Sequence, residues 1–390
     1  MINSKILKSN LFFIINFIIM FVLTSYNSEF NEFIPINNFY LKIIFIILFL
    51  YIIILKRLIN FKINIKKRYL IILIILISTM IISLIYTIDF KSTIYYLTDF
   101  ILLNVYLIYL KQKKIDLPMF LKGVFTFFYV IGILNLIFIL FFKNISLFYD
   151  TRYTVSYRGI FNHRTMLGYF SVISICISNI LLYNYNFWRK NLIINILISL
   201  VLVYCSHSGI GITILFIYPI IYILLSKVKV RYEYIMIIYL IINYIITNAT
   251  DILIKFNTFF VNVLNRDFTL SGRLDLWKNG IDLIKERIWL GYGLGAKLPV
   301  FNYESYESSL AHLHNGILEI VSHIGVIGLI PVILILCLSY KKVELLYKNK
   351  SILFKLFFIV ILIVGFTEPY LFYKIGVSYA WIIILYIFII

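Results

Sequence analysis

The sequence predicts an all-α integral membrane protein of about 12 transmembrane helices with one large extracytoplasmic loop. Three observations give that class. First, 62% of the 390 residues are hydrophobic and only 14% are charged, with a mean hydropathy of +0.98. Soluble domains hold about 45–50% apolar and about 25% charged residues. Second, the apolar residues come in runs of about 20, the length that crosses a bilayer as a helix, and not in the ~10-residue alternating segments of a barrel. Third, one polar interruption, residues 248–319, breaks a chain that is otherwise apolar almost throughout. A large polar loop on a membrane scaffold is where chemistry concentrates, so the expectation is an enzyme working at a membrane face and not a pore.

Taken in order, the spans are expected over 11–26, 39–55, 69–88, 93–110, 118–142, 165–183, 192–205, 210–225, 232–247, 317–340, 352–367 and 377–390. Residues 1–390 read as a single polytopic membrane domain. The opening MINSKILKSN and the apolar run after it imitate a signal peptide, but no small-residue cleavage site follows, so the run reads as an uncleaved first span. The excess of Ile, Asn, Lys and Tyr reflects an AT-rich bacterial coding bias. Cys176, Cys205 and Cys337 fall within or at the edge of apolar segments and read as buried thiols, not as a disulfide or a metal site. Asp99, inside the fourth span, is a costly intramembrane acid that requires a partner, with Lys122 as a candidate.

The net charge of +19 invites a nucleic-acid reading, which its distribution rejects. The basic residues gather in alternate joints beginning at Lys56, Lys111, Trp188, Lys227 and Lys341, together with Lys5 and Lys8. Such a bias marks the cytoplasmic side. Both termini are then cytoplasmic, the membrane is the bacterial inner membrane, and two loops face outward, residues 143–164 and 248–316. Arg152, Arg158, Arg164, Arg266 and Arg273 lie on that outer side, where basic residues are normally sparse. Anion recognition explains them; anchoring to lipid headgroups is the competing explanation.

The large loop has a helix of its own. Leu274, Trp277, Ile281, Ile284 and Ile288 recur at steps of three and four, one apolar stripe. Ser271 is a candidate N-cap, Asp275 falls in the first turn and Gly291 is a candidate stop. This predicts an amphipathic helix on the membrane surface or on the outer face of the bundle, and an interfacial anchor would look the same. Arg273 at its start differs, because a helix N-terminus and a guanidinium together favour a phosphate.

Three strings thus stand on the outer side: RGIFNHRTMLGYF from Arg158, SGRLDLWKNGIDLIKERIWLGYGLG from Ser271, and HNGILEIVSHIGVIGL from His314. In order, orientation and spacing they resemble the O-antigen ligase and polymerase family of polytopic bacterial membrane proteins, most strongly from about Arg158 to Leu329. The resemblance implies glycosyl transfer outside the cytoplasmic membrane. The donor would be an undecaprenyl-diphosphate-linked glycan and the acceptor another saccharide, with a chain-length regulator as a possible partner and no cofactor. It implies functional roles for Arg158, Arg273 and His314, with Gly291 and Gly293 matching the G-x-G turn and Trp277 the tryptophan four residues after the arginine. Asn315 completes the H-N pair. The chain departs from the family at Ser206-His207, where an arginine often follows the serine, at His323, where an acid is frequent, and at His163-Arg164, where Arg164 offers a substitute charge.

The residue chemistry agrees. Displacing a diphosphate from an anomeric carbon requires stabilising a charged leaving group and deprotonating an acceptor hydroxyl. Arginine pairs bidentately with phosphate and stays charged; Arg158 and Arg273 qualify, with Arg164 in reserve. Histidine suits the base, and His314 begins the tenth span at the depth of a lipid diphosphate. His312, two residues away, is expected on another face. His207 and His323 read as histidines satisfying core or interface partners, and Glu319 pairs with His323 at i, i+4. No D-x-D, H-E-x-x-H, C-x-x-C or P-loop occurs, and no carboxylate lies within four residues of His312-x-His314, so metal-independent transfer is expected.

A polymerase of surface or capsular repeat units is favoured over a ligase moving finished glycan to lipid A core or protein, because the outer loops are modest. A flippase predicts two similar halves and charges along a cavity, and no internal repeat is seen; Pro219 and Pro331 alone interrupt spans. An acid in the first outer loop, Glu29 or Glu32, is a further alternative.

Overall fold

Runs of Ile, Leu and Phe in lipid can satisfy their backbone only within a helix, and the computed structural model has a helix at each expected position. It describes residues 2–24, 39–58, 66–150, 153–185, 188–228, 230–248, 273–299, 312–347, 351–368 and 379–390. Glu29, Glu32, Arg152, Arg266 and Ser271 lie outside the described residues. The helices are α1 (Ile2–Val22), α2 (Phe39–Leu58), α3 (Lys67–Tyr86), α4 (Phe90–Gln112), α5 (Leu117–Phe141), the single turn α6 (Lys143–Ser146), α7 (Arg164–Tyr185), α8 (Arg189–Ser206), α9 (Gly209–Lys227), α10 (Tyr232–Asn248), α11 (Arg273–Glu286), α12 (Gly316–Tyr347), α13 (Ile352–Thr367) and α14 (Tyr379–Ile389). Seven of the described helices are long and apolar enough to cross a membrane.

Burial separates the centre of the bundle from its rim. The most apolar stretch of α7 is 83% buried and that of α9 only 11%. The sequence explains α7: Gly168, Ser171, Ser174 and Ser178 are small enough to admit close neighbours, and Asn195 of α8 donates to the hydroxyls of Ser174 and Ser178. Small residues with a bridging amide are how helices associate where lipid supplies no hydrophobic drive. Side chains such as Ile85, Phe216 and Ile220 remain outward, as lipid-facing residues do.

Four expectations are corrected. The 143–164 loop is not irregular throughout: Tyr, Thr and Val favour strands, and β2 (Tyr153–Tyr157) pairs antiparallel with β1 (Leu147–Asp150) there. Asp99 pairs not with Lys122 but with Lys42 of α2, at 2.6 Å, while the Lys122 ammonium lies over the Trp188 ring. The loop helix ends at Glu286, before Ile288 and Gly291. Its stripe packs on the bundle, the second of the two expected positions, with Trp277 and Ile284 buried against Leu313, Leu318 and Val321 at the start of α12. Finally, α12 is broken, and the break is at Gly325 and not at Pro331.

That break positions the site. Gly325 has φ 67°, and a Cβ there would stand 2.0 Å from the Trp289 carbonyl oxygen, so only glycine fits. Four backbone groups around the break pair with the segment after α11. Tyr292 and Gly293 donate to the carbonyls of Ser322 and His323, at 2.8 and 2.9 Å. Val326 donates to the Ile288 carbonyl at 2.9 Å and Ile327 to that of Trp289 at 3.4 Å. Gly291 and Gly293, both at positive φ, let this segment lie against His323 and Thr87. Non-helical backbone is tolerated at such depth only when protein covers it. The G-x-G turn therefore serves as the cover of a broken helix.

Candidate active site

The short segment 312–315 is fixed from three directions. The buried Trp277 of α11 donates its indole N–H to the Leu313 carbonyl at 2.8 Å, and Gly280, one turn on, leaves room for the Leu313 side chain. Glu319 Oε2 accepts from Leu313 N at 2.8 Å, while Oε1 meets His323 Nε2 at 3.2 Å, as the i, i+4 spacing predicted. The other nitrogen of His323 meets the Gly293 carbonyl at 2.9 Å. Asn315 caps α12, its Oδ1 accepting from Ile317 N and Leu318 N. Its amide reaches Asn243 of α10 and the Phe366 carbonyl of α13. His314 sits between these tethers with φ 50°, a left-handed conformation uncommon outside glycine.

The centre of the group is a residue that sequence reasoning missed. Glu368 follows α13, where the residue before Pro369 is pushed into extended backbone. Its Oε1 accepts from Arg273 Nη2 at 3.1 Å, and its Oε2 faces His314 Nδ1 at 3.6 Å. The carboxylate is 2% exposed, whereas the Arg273 and His314 side chains keep 20% and 28%. Burial works against ionisation of Glu368, but the facing His314 ring, with the charges of Arg273 and His163, outweighs it and holds the carboxyl below the usual glutamate range. A lone acid ending a 16-residue apolar helix was the available signal. The motifs drew attention away from it.

Arg273, His314, Trp277, Asn315, Gly291 and Gly293 are thus brought together. His312 is a correction: it lies on the same face as His314, the ring centroids 3.8 Å apart, and its Nδ1 accepts from His314 N. His163 also joins through its charge on Glu368; its Nδ1 accepts from Thr165 N at the start of α7, and its ring meets Phe148 of the hairpin. Arg158 donates Nε to the Ile145 carbonyl at 3.2 Å and is half-buried. Arg164 is buried, and donates Nη1 to the His207 carbonyl at 2.6 Å. The cation at the turn after α8, where His207 stands, is therefore Arg164, reaching across from α7.

Among the described residues, His312, His314 and Glu368 are the group whose donor atoms lie close enough to share an ion, within 4.8 Å of one another. The carboxylate that local spacing failed to find near His312-x-His314 comes from α13. Arg273 bonds one oxygen of that carboxylate, and the other oxygen faces His314. A half-open guanidinium beside a half-open imidazole can grip an oxyanion and accept a proton within one small volume.

The comparison with known families agrees with this geometry. Residues 163–333 match the family model described as O-Antigen ligase, a stretch that takes in α7 to the middle of α12 and holds Arg273, Trp277, the G-x-G turn and His314. Arg158 precedes the match and Glu368 follows it. No curated protein matches the chain. Over residues 163–333 this multi-pass membrane protein is similar to the O-antigen ligase family.

Proposed function

We propose that this protein transfers a glycan from an undecaprenyl-diphosphate donor to a saccharide acceptor at the outer face of the bacterial cytoplasmic membrane. One observation carries the reading: Arg273 and His314, both partly open, meet on a single buried carboxylate inside or beside the matched domain. Arg273 binds the diphosphate and stabilises it as it leaves, with Arg158 as the second cation and Arg164 holding the adjoining turn. His314 takes the proton of the acceptor hydroxyl as that oxygen attacks the anomeric carbon. The direct displacement inverts the anomeric centre, and Arg273 supplies the positive charge that a metal ion supplies in other transferases. In this reading the chain has twelve spans, cytoplasmic termini and extracytoplasmic loops, and the reaction takes place where the lipid-linked donor is exposed.

The acceptor we favour is another lipid-linked glycan, making the protein a polymerase of surface or capsular repeat units that works with a chain-length regulator. The description of the matched family favours a second reading, a ligase that moves finished glycan to lipid A core or protein. The test is the lipid-linked and surface glycan profile of a deletion strain complemented with wild type, Arg273→Ala or His314→Ala, each checked for membrane expression. A single repeat unit in place of a ladder, unrescued by either variant, supports the polymerase. A ladder retained on the polyprenyl carrier supports the ligase. Unchanged glycans in every strain refute glycosyl transfer.

A further inference from the structure

Glu368 lies outside the matched domain, yet it is where the two functional side chains meet. Among the described residues, His314 Nδ1 and Glu368 Oε2 are both buried atoms without another hydrogen-bond partner, and they face each other at 3.6 Å. The carboxylate is therefore shared. One oxygen is bonded to the cation that would bind the donor, and the other stands just beyond hydrogen-bond length from the ring that would act as base. Burial sharpens this division, because a carboxylate that is 2% exposed cannot turn to water for compensation.

We propose that Glu368 is the positioning residue of the site and that it couples donor binding to activation of His314. With no donor present, Glu368 divides its charge between Arg273 and His314. When a diphosphate arrives, its own oxygens take over the guanidinium, since an arginine fork pairs best with phosphate. Glu368 then turns wholly to His314, draws Nδ1–H into a full hydrogen bond, and leaves Nε2 as the nitrogen that accepts the proton of the acceptor hydroxyl. The imidazolium so formed is balanced by the carboxylate at its back, as the buried acid of a hydrolase triad balances its histidine. The base is therefore strongest only when a donor is in place, which guards against idle turnover. This coupling rests on the glycosyl-transfer reading; the pairing of Glu368 with His314 does not.

The test uses the full chain in lipid nanodiscs with ¹⁵N-labelled histidine, the His314 signals being assigned by loss in His314→Gln. The ring nitrogens report tautomer and protonation directly. The charged and titratable groups around His314 are Glu368 from the end of α13, Arg273 from α11 and His312 from its own loop, with His163 acting on Glu368 from before α7, so spectra of His312→Gln and His163→Gln separate their contributions. In wild type, His314 is expected to hold its proton on Nδ1, towards Glu368, and to lose that preference in Glu368→Gln. Adding undecaprenyl diphosphate is expected to shift the wild-type Nδ1 signal towards a stronger hydrogen bond and to produce no such change in Glu368→Gln. In cells, Glu368→Gln is expected to lose the glycan ladder and Glu368→Asp to recover part of it. A His314 tautomer unchanged by Glu368→Gln, in a variant that expresses and folds, overturns the proposal. A tautomer that changes with Glu368→Gln, with an Nδ1 signal that ignores undecaprenyl diphosphate, overturns the coupling and leaves the pairing in place, while the glycan profiles judge the donor separately.

Discussion

Two buried carboxylates in this molecule meet opposite treatment. Asp99, in α4, is paired with Lys42 of α2 at 2.6 Å, with both side chains sealed at 5% and 1% exposure. The Lys42 ammonium also lies 3.9 Å from the centre of the Tyr95 ring, which supplies a second favourable face. Glu368 is sealed as well, but its partners Arg273 and His314 stay partly open. A closed pair in lipid satisfies itself and offers nothing to a ligand; its work is to hold two helices in register. A buried anion with half-open partners instead stores polarity that a substrate can use. The same chemistry of acid and base is sealed in one place and partly open in the other, and the open one is the candidate for function.

Breaking the open cluster is expected to have the largest effect. His314→Ala should reduce transfer by about 10²- to 10⁴-fold, the usual contribution of a general base, with membrane expression and thermal stability close to wild type. A comparable loss of stability would mark His314 as structural. The closed pair should respond in the opposite manner. Lys42→Met strands the Asp99 charge and should cost about 3–5 kcal/mol in unfolding measured in detergent, while Lys42→Met combined with Asp99→Leu should recover most of it. Unequal recovery would show that the pair does more than hold α2 to α4.

Gly325→Ala tests the platform that both halves of the open cluster share. Its positive φ and its contact with Trp289 leave no room for a methyl, so a loss of about 1–3 kcal/mol is expected, together with easier proteolysis in the 287–299 segment. Trp277→Phe should act more gently. Loss of one indole hydrogen bond to Leu313, worth about 1 kcal/mol, should lower kcat/KM about fivefold and leave the melting temperature nearly unchanged.

The smallest effect is on acid stability. Glu368 holds its carboxyl below the ordinary value of 4.5 because its cationic partners outweigh the penalty of burial. It therefore binds its proton more weakly folded than unfolded. Its contribution is complete above the unfolded value and drains away as pH falls through the folded one. Wild type should lose more stability than Glu368→Gln on acidification below about pH 4.5, and equal slopes would contradict the arrangement.

Much of this architecture was legible residue by residue. Each expected span of Ile, Leu and Phe coincides with a described helix, because lipid leaves an apolar run no other way to satisfy its backbone. The motifs pointed to Arg273, Trp277, the G-x-G turn and the His314-Asn315 pair, and these do converge. Arg158 and Arg164 were chosen by the same reasoning, yet the bonds described for them run to the Ile145 and His207 carbonyls. Local spacing cannot say whether an arginine faces a ligand or a neighbouring turn. The break at Gly325 escaped notice because a glycine in an apolar run has no periodic signature. Its reason lies in the Trp289 carbonyl, distant in sequence.

The sequence by itself determined the membrane class, the order of the helices and the identity of the residues able to bind a phosphate or move a proton. Those follow from composition, run length and side-chain chemistry, which need no neighbour. Only the tertiary structure decided that Lys42 and not Lys122 neutralises Asp99, that His312 stacks beside His314, and that Glu368 joins Arg273 to His314. Each of these is a contact across elements far apart in the chain. Burial makes such contacts matter, since a charge removed from water must find its partner wherever the packing brings one within reach.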